Sequence, residues 1–325
     1  MNQAFDAYVV QALFTNAGAA FVLADGNVGF ESGEIVAAHG GGALCAVSHP
    51  SSAGVISGGD DGRLVWSRPG QTPEVLAEHK GRWIDAVAAH PATGLVAYAA
   101  GKEVHVLDVA DKSFGRMFKH EHSVAALAFD PKGRKLAAAT YGGAAIWFAR
   151  IAEQKPQMLK WAGAHIDLIW SPDGKFLVSS MQESALHAWR VDDARDMRMS
   201  GYPAKVRSLA FLSKGQLLAT SGANGSVVWP FTGPNGPMGK EAAEVGYDEK
   251  TLVTRVAANL NSDRLYAGLD NGKVWMAETT GRALVELKPP GAAPISALAV
   301  AADGRVAWGD EAGGAGVVST QALAT

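Results

Sequence analysis

The chain has 325 residues, 48% of them apolar, and carries 29 Lys and Arg against 32 Asp and Glu. A formal net charge of −3 and a pI near 6.3 offer no electrostatic attraction to nucleic acid, which is set aside as a partner. Cys45, the single cysteine, rules out an intrachain disulfide and a cysteine-based structural zinc site. No apolar run approaches the roughly 18 residues of a membrane span and MNQAFDAYVV has no basic segment, so a cytoplasmic protein without a membrane contact is expected.

In chain order, short β-rich segments recur with one internal plan. An apolar strand opens each unit: VVQALF, LCAVSH, IDAVAAH, VAALAF, IDLIWS, VRSLAF, TRVAAN and ISALAV. A turn follows, marked by Gly18, Gly54, Gly94, Gly133, Gly174, Gly215 and Gly304, with Asp263 at that place in the seventh unit. A second strand and a hairpin lead to a third strand that ends on a bulky residue. SGGDDGRLVW is the clearest case: Asp-Gly before alternating apolar residues predicts a two-residue type I′ turn, closed by Trp66. Trp147, Trp189, Trp229 and Trp275 take the same place, with Leu107 midway between the first two Trp, and steps of 40 to 46 residues. The register extends to Phe30 upstream and Val317 downstream. A fourth short run, such as EIVAAH, PEVLAEH, GRMFKH or ALVELK, separates successive units.

Four short strands in about 40 residues is the period of a propeller blade. The sequence resembles the WD-repeat family of β-propellers over essentially its whole length, with a degenerate signature: the Trp-Asp pair reads WS, LD, WF, WR, WP and WM in units two to seven. The family's turn Asp matches Asp25, Asp60 or Asp61, and Asp270, with Asn224 in its place in the sixth unit. The family's loop His matches His39, His79, His120 or His122, and His165, and units six to eight lack it. Only the unit holding His39 and Asp60 or Asp61 retains both partners of the bond that ties a blade together. The resemblance implies an all-β fold, a single domain over 1–325 made of four-stranded antiparallel blades. Eight blades are favoured and seven are the alternative. The eighth unit lacks an outer strand, and residues 2–7, NQAFDA, are expected to supply it and so close the ring.

In the resemblance, the loops before each first strand and the hairpins between second and third strands share one face, called the top. Units three to five place there Arg82, Trp83, His120 with Glu121 and His122, Tyr141, Trp161 and His165. Trp83 and Trp161 fall outside the register of the seam-filling Trp residues, and Trp, Tyr and Arg dominate binding hot spots. The competing reading makes Trp83 a strand-end cap and Trp161 a residue packed under a loop. Lys205 and Arg207, with Lys250 and Arg255, extend a basic rim suited to an acidic partner. His79, His120, His122 and His165 are weak metal candidates, since a His-x-His pair binds zinc only when a third ligand converges; no metal and no cofactor are expected. The segment PFTGPNGPMGKEAAEVGYDEK, 230–250, is expected to be irregular until KEAAEV resumes as an outer strand.

Catalysis by a propeller requires convergent metal-binding carboxylates or an enclosed cofactor. Asp60, Asp61 and Asp270 fall in tight turns where Asp has a backbone role, and no phosphate loop or nucleophile elbow is present. The expected function is a non-catalytic scaffold that binds a protein or peptide on the top face. The alternatives are a metal- or small-ligand-binding propeller and a propeller enzyme with its site at the channel mouth.

Overall fold

The computed structural model describes residues 2–280 and 283–320. Thirty strands and one 3-10 turn, Ser213–Gly215, account for the regular structure among them. Contacts divide the chain into two compact units, residues 13–170 and residues 1–12 with 171–325. No helix among the described residues is long and apolar enough to cross a membrane.

The strands form antiparallel blades that number seven, not the favoured eight: six sheets have four strands and the seventh has six. The difference comes from two 14-residue strands, Lys135–Phe148 and Gln157–Trp170. KLAAAT and AAIWF fold back on each other as the expected hairpin, since Ala149 N–H donates to the Arg134 carbonyl at 2.9 Å, and the turn Tyr141-Gly142-Gly143 pairs onward to Gln157–Trp170 with a register shift between Tyr141 and Gly143. The strand Gln157–Trp170 runs without a break into the expected first strand IDLIW of the next repeat. The fourth and fifth repeats therefore fall in a single sheet.

Within each sheet the sequence dictates the layering. Third strands alternate: Glu103–Asp108 is buried at every second residue, the period of a strand packed on one face. Second strands such as Leu95–Ala100 are buried at every residue and read as unbroken runs, rich in Ala, Gly and Ser, because both faces are covered. The third-strand aromatics Phe30, Trp147, Trp189 and Trp275 are buried, while Trp66 and Trp229 are half-buried.

In the unit that contains both ends of the chain, the N-terminal strand Asn2–Ala4 pairs with Gly314–Ser319, Asn2 opposite Gly316 and Ala4 opposite Gly314, and supplies the fourth strand that the eighth repeat lacks. Phe5 N–H donates to the Gly313 carbonyl at 2.9 Å to hold the connection. The outer strand expected after the irregular segment is Ala243–Val245, paired to Ser226–Pro230. The segment itself is held by the Lys240 ammonium, which donates to Thr232 Oγ1 at 2.7 Å, to the Gly236 carbonyl at 2.9 Å and to the Thr232 carbonyl.

The Asp60-Asp61-Gly62 turn is not type I′. Gly62 is left-handed at φ +78°, whereas Asp61 is not, because its carboxylate is engaged elsewhere. It accepts from Gly40 N–H at 3.1 Å and Arg63 N–H at 3.1 Å, and lies 3.1 Å from His39 Nδ1.

Candidate functional site

The sequence-derived candidates Arg82, Trp83, His120, His122, Tyr141, Trp161 and His165 all belong to the unit of residues 13–170. Five of them cluster along two connectors and a hairpin. Arg82 and Trp83 precede the strand Ile84–His90, and Trp83 is 63% exposed. The Arg82 guanidinium donates to Glu103 Oε2 at 2.8 Å, which anchors the connector to the Gly101-Lys102 turn. Gly101 is left-handed at φ +65°, as the turn requires. The turn is fixed from the next connector, because its carbonyls accept from backbone N–H groups: Lys102 from His120 at 2.9 Å and Gly101 from Val124 at 3.0 Å.

These segments enclose a pocket of about 410 Å³ walled by Arg82, Gly101, Lys102, Glu103, Lys119 and His120. His120 forms an edge contact with Trp147 at 5.7 Å, and its Nε2 is buried without a hydrogen-bond partner among the described residues. Burial pushes its pKa down to about 4, so the ring is neutral at pH 7. Two residues further on, exposed His122 meets the ring of Tyr141 edge-on at 5.8 Å, and Tyr141 is itself 63% exposed.

Behind Glu103 lies a ring cluster that sequence reasoning missed. His79 Nε2 lies 3.0 Å from the Tyr98 hydroxyl, Tyr98 stacks on His105 at 5.1 Å, and His79 and His105 rings are 4.6 Å apart. Burial, followed by the nearby His79, lowers the His105 pKa, and burial pushes the Tyr98 phenol up to about 12. His105 Nε2 lies 3.6 Å from Glu103 Oε2, so the carboxylate is bracketed by Arg82 and His105. Arg82 above all holds the Glu103 carboxyl below its ordinary range. The available signal was Glu103 and His105 on one face of a strand, beside a Gly-Lys turn.

The other candidates stand apart from this pocket. His165 is 1% exposed, with Nε2 3.1 Å from the Trp161 carbonyl oxygen, which corrects its expected place on the accessible surface. Trp161 is half-buried within the strand Gln157–Trp170. Lys205 and Arg207 belong to the other compact unit, where Lys205 is half-buried and Arg207 exposed. Among the described residues no group of three or more His, Cys, Asp or Glu could hold a metal ion. Each metal candidate, His79, His120, His122 and His165, instead meets an aromatic ring or a backbone carbonyl.

Two networks mark the repeats. In the second, His39 bridges Asp61 and Ser57, with Nε2 2.8 Å from Ser57 Oγ. In the sixth, Trp229 Nε1 donates to Tyr202 Oη at 2.6 Å, and that hydroxyl lies 2.8 Å from Thr220 Oγ1. Tyr202 thus takes the place of the loop His, and Asn224 Nδ2 donates to the Thr251 carbonyl at 2.8 Å.

This sixth repeat is where the chain matches a known family: residues 196–229 match the WD domain, G-beta repeat. None of the curated proteins searched matches the chain. Among solved structures, the crystal structure of the computationally designed Ika8 protein is similar over 98% of both chains, with a TM-score of 0.78 and 17% identity, a likeness of fold alone. The matched repeat, the blades and the His39–Asp61 pair together support a WD-repeat β-propeller with degenerate repeats.

Proposed function

We propose that the protein is a non-catalytic interaction scaffold, acting as one domain over residues 1–325 in the cytoplasm. It binds a protein or peptide through the connectors that carry Arg82, Trp83, His120, His122 and Tyr141. WD-repeat propellers commonly mediate protein–protein interactions, and the observation that carries the reading here is the pairing of two large aromatics, each 63% exposed, with a preformed polar pocket. An isolated exposed aromatic needs no explanation, but Trp83 adjoins a pocket residue in the chain and Tyr141 contacts His122, two residues from another. The pocket wall is held by backbone hydrogen bonds, so a partner would meet it with little ordering cost. Trp161 and His165 support the connector from within, and Lys205 and Arg207 act as long-range attraction for an acidic partner.

The test compares the proteins captured by wild type and by a Trp83→Ala, Tyr141→Ala variant of unchanged melting temperature, followed by titration with the purified partner. Loss of a wild-type partner in the variant supports the reading. A partner that binds both forms equally removes these connectors from the interface.

A further inference from the structure

The pocket beside Trp83 has a charge that the rest of the chain does not share. Arg82, Lys102 and Lys119 supply three cations against one carboxylate, Glu103, while the whole chain carries −3. The Glu103 carboxylate is already spoken for by Arg82 at 2.8 Å. Lys102 and Lys119 are exposed, and among the described residues neither ammonium forms an ion pair or hydrogen bond. Lys119 lies opposite Glu103 in the strand register, near enough to help hold that carboxyl low, yet it does not close on it. Two ammonium groups thus flank a cavity whose only carboxylate is engaged elsewhere.

We propose that this pocket receives an acidic side chain of an extended peptide, its carboxylate between Lys102 and Lys119 and an adjacent apolar residue on Trp83. The inference rests on the interaction-scaffold reading and names its ligand chemistry. A carboxylate between two ammonium groups makes charge-assisted hydrogen bonds, stronger than neutral ones, and the half-enclosed site limits their screening by salt. The cavity of about 410 Å³ lies at the small end for ligand pockets, a size for one or two side chains. The Gly101-Lys102 turn is held by His120 and Val124 N–H groups, which fixes the direction of the Lys102 stem before any ligand arrives. His120, neutral at pH 7, adds a polar wall without adding charge.

The experiment pans a phage-displayed library of random dodecapeptides against the full chain and measures enriched peptides by fluorescence anisotropy. Three proteins are titrated: wild type, Lys102→Gln with Lys119→Gln, and Trp83→Ala with Tyr141→Ala. Both lysines are exposed, so the glutamine variant is expected to keep its melting temperature. The expected result is enrichment of Asp or Glu beside an apolar residue, with affinity lowered about tenfold or more in the lysine variant and by added salt. Neutral peptides that lose affinity only in the aromatic variant would overturn the acidic ligand and leave the scaffold surface standing. Peptides indifferent to both variants, or no enrichment, would overturn both. Tighter binding of a single-stranded oligonucleotide that displaces the peptides would overturn the peptide in favour of nucleic acid.

Discussion

Trp147 carries two opposing contributions to stability that alanine and phenylalanine substitutions separate. Its side chain is 8% exposed and stacks on Phe118 at 4.6 Å with the planes 10° apart. Removing an indole that buries about 200 Å², at about 25 cal/mol/Å², costs about 5 kcal/mol before the discount for residual burial in the unfolded chain. The lost aromatic pair adds about 1 kcal/mol. Against this, Trp147 Nε1 is buried with no acceptor among the described residues, and an unsatisfied buried donor costs about 1–3 kcal/mol. Alanine removes that penalty along with the ring, so Trp147→Ala should destabilise by about 3–4 kcal/mol. Phenylalanine retains the stack on Phe118 and also discards the orphaned N–H. Trp147→Phe should therefore lie within about 1 kcal/mol of wild type. Trp189 is fully buried and has no orphaned ring nitrogen, so Trp189→Ala lacks the compensation and should cost more than Trp147→Ala. Urea unfolding followed by circular dichroism gives the midpoints. A phenylalanine variant as unstable as the alanine variant would show that the indole N–H is bonded and refute the reasoning. Retention of the wild-type midpoint by Trp147→Ala would refute the role of the third-strand Trp in packing.

Burial holds the His120 pKa at about 4 against an ordinary value of 6.5. The fold therefore favours the neutral ring, and its contribution is whole above pH 6.5 and declines as pH falls toward 4. The decline should reach about 3 kcal/mol at most and should vanish in the pH dependence of melting of His120→Gln; a variant with the wild-type slope would place the titrating group elsewhere. Gly246 is left-handed at φ +71°, and an added Cβ would lie 2.7 Å from Trp275 Cζ2, whereas Gly33, at φ +92°, has open space in that direction. Gly33→Ala should cost only the backbone part, about 1 kcal/mol, and Gly246→Ala at least about 2 kcal/mol, measured by thermal unfolding; equal losses would mean that the Trp275 contact yields freely.

The features legible in the sequence are those fixed by local chemistry. A bulky residue at one place in each third strand, a glycine where the turn needs positive φ, and an acceptor Asp after a loop His each leave a residue-type signature. The structure places Trp66, Trp147, Trp189, Trp229 and Trp275 in third strands and joins His39 to Asp61. The blade count was not legible because a Gly-Gly pair has two physical uses. It can close a hairpin and it can pair with a neighbouring strand, and Gly142-Gly143 does both, which joins the fourth and fifth repeats in one sheet. Trp83 stood out because it breaks the repeat register, but Lys102, Glu103 and Lys119 looked like ordinary solvated positions. What gathers them is a turn docked onto a connector about eighteen residues later, a non-local contact with no signature in either segment. His165 failed in the opposite direction: connectors are usually exposed, and only the Trp161 carbonyl within reach of its Nε2 explains why it is buried. Tyr202 shows the limit of matching residue types. A phenol and an imidazole each present a polar atom at the edge of a flat ring, so Tyr202 can join Trp229 and Thr220 where a histidine is expected. A repeat that lacks the expected histidine can therefore keep its hydrogen-bond network, and the degeneracy seen in the sequence overstates the loss in the fold.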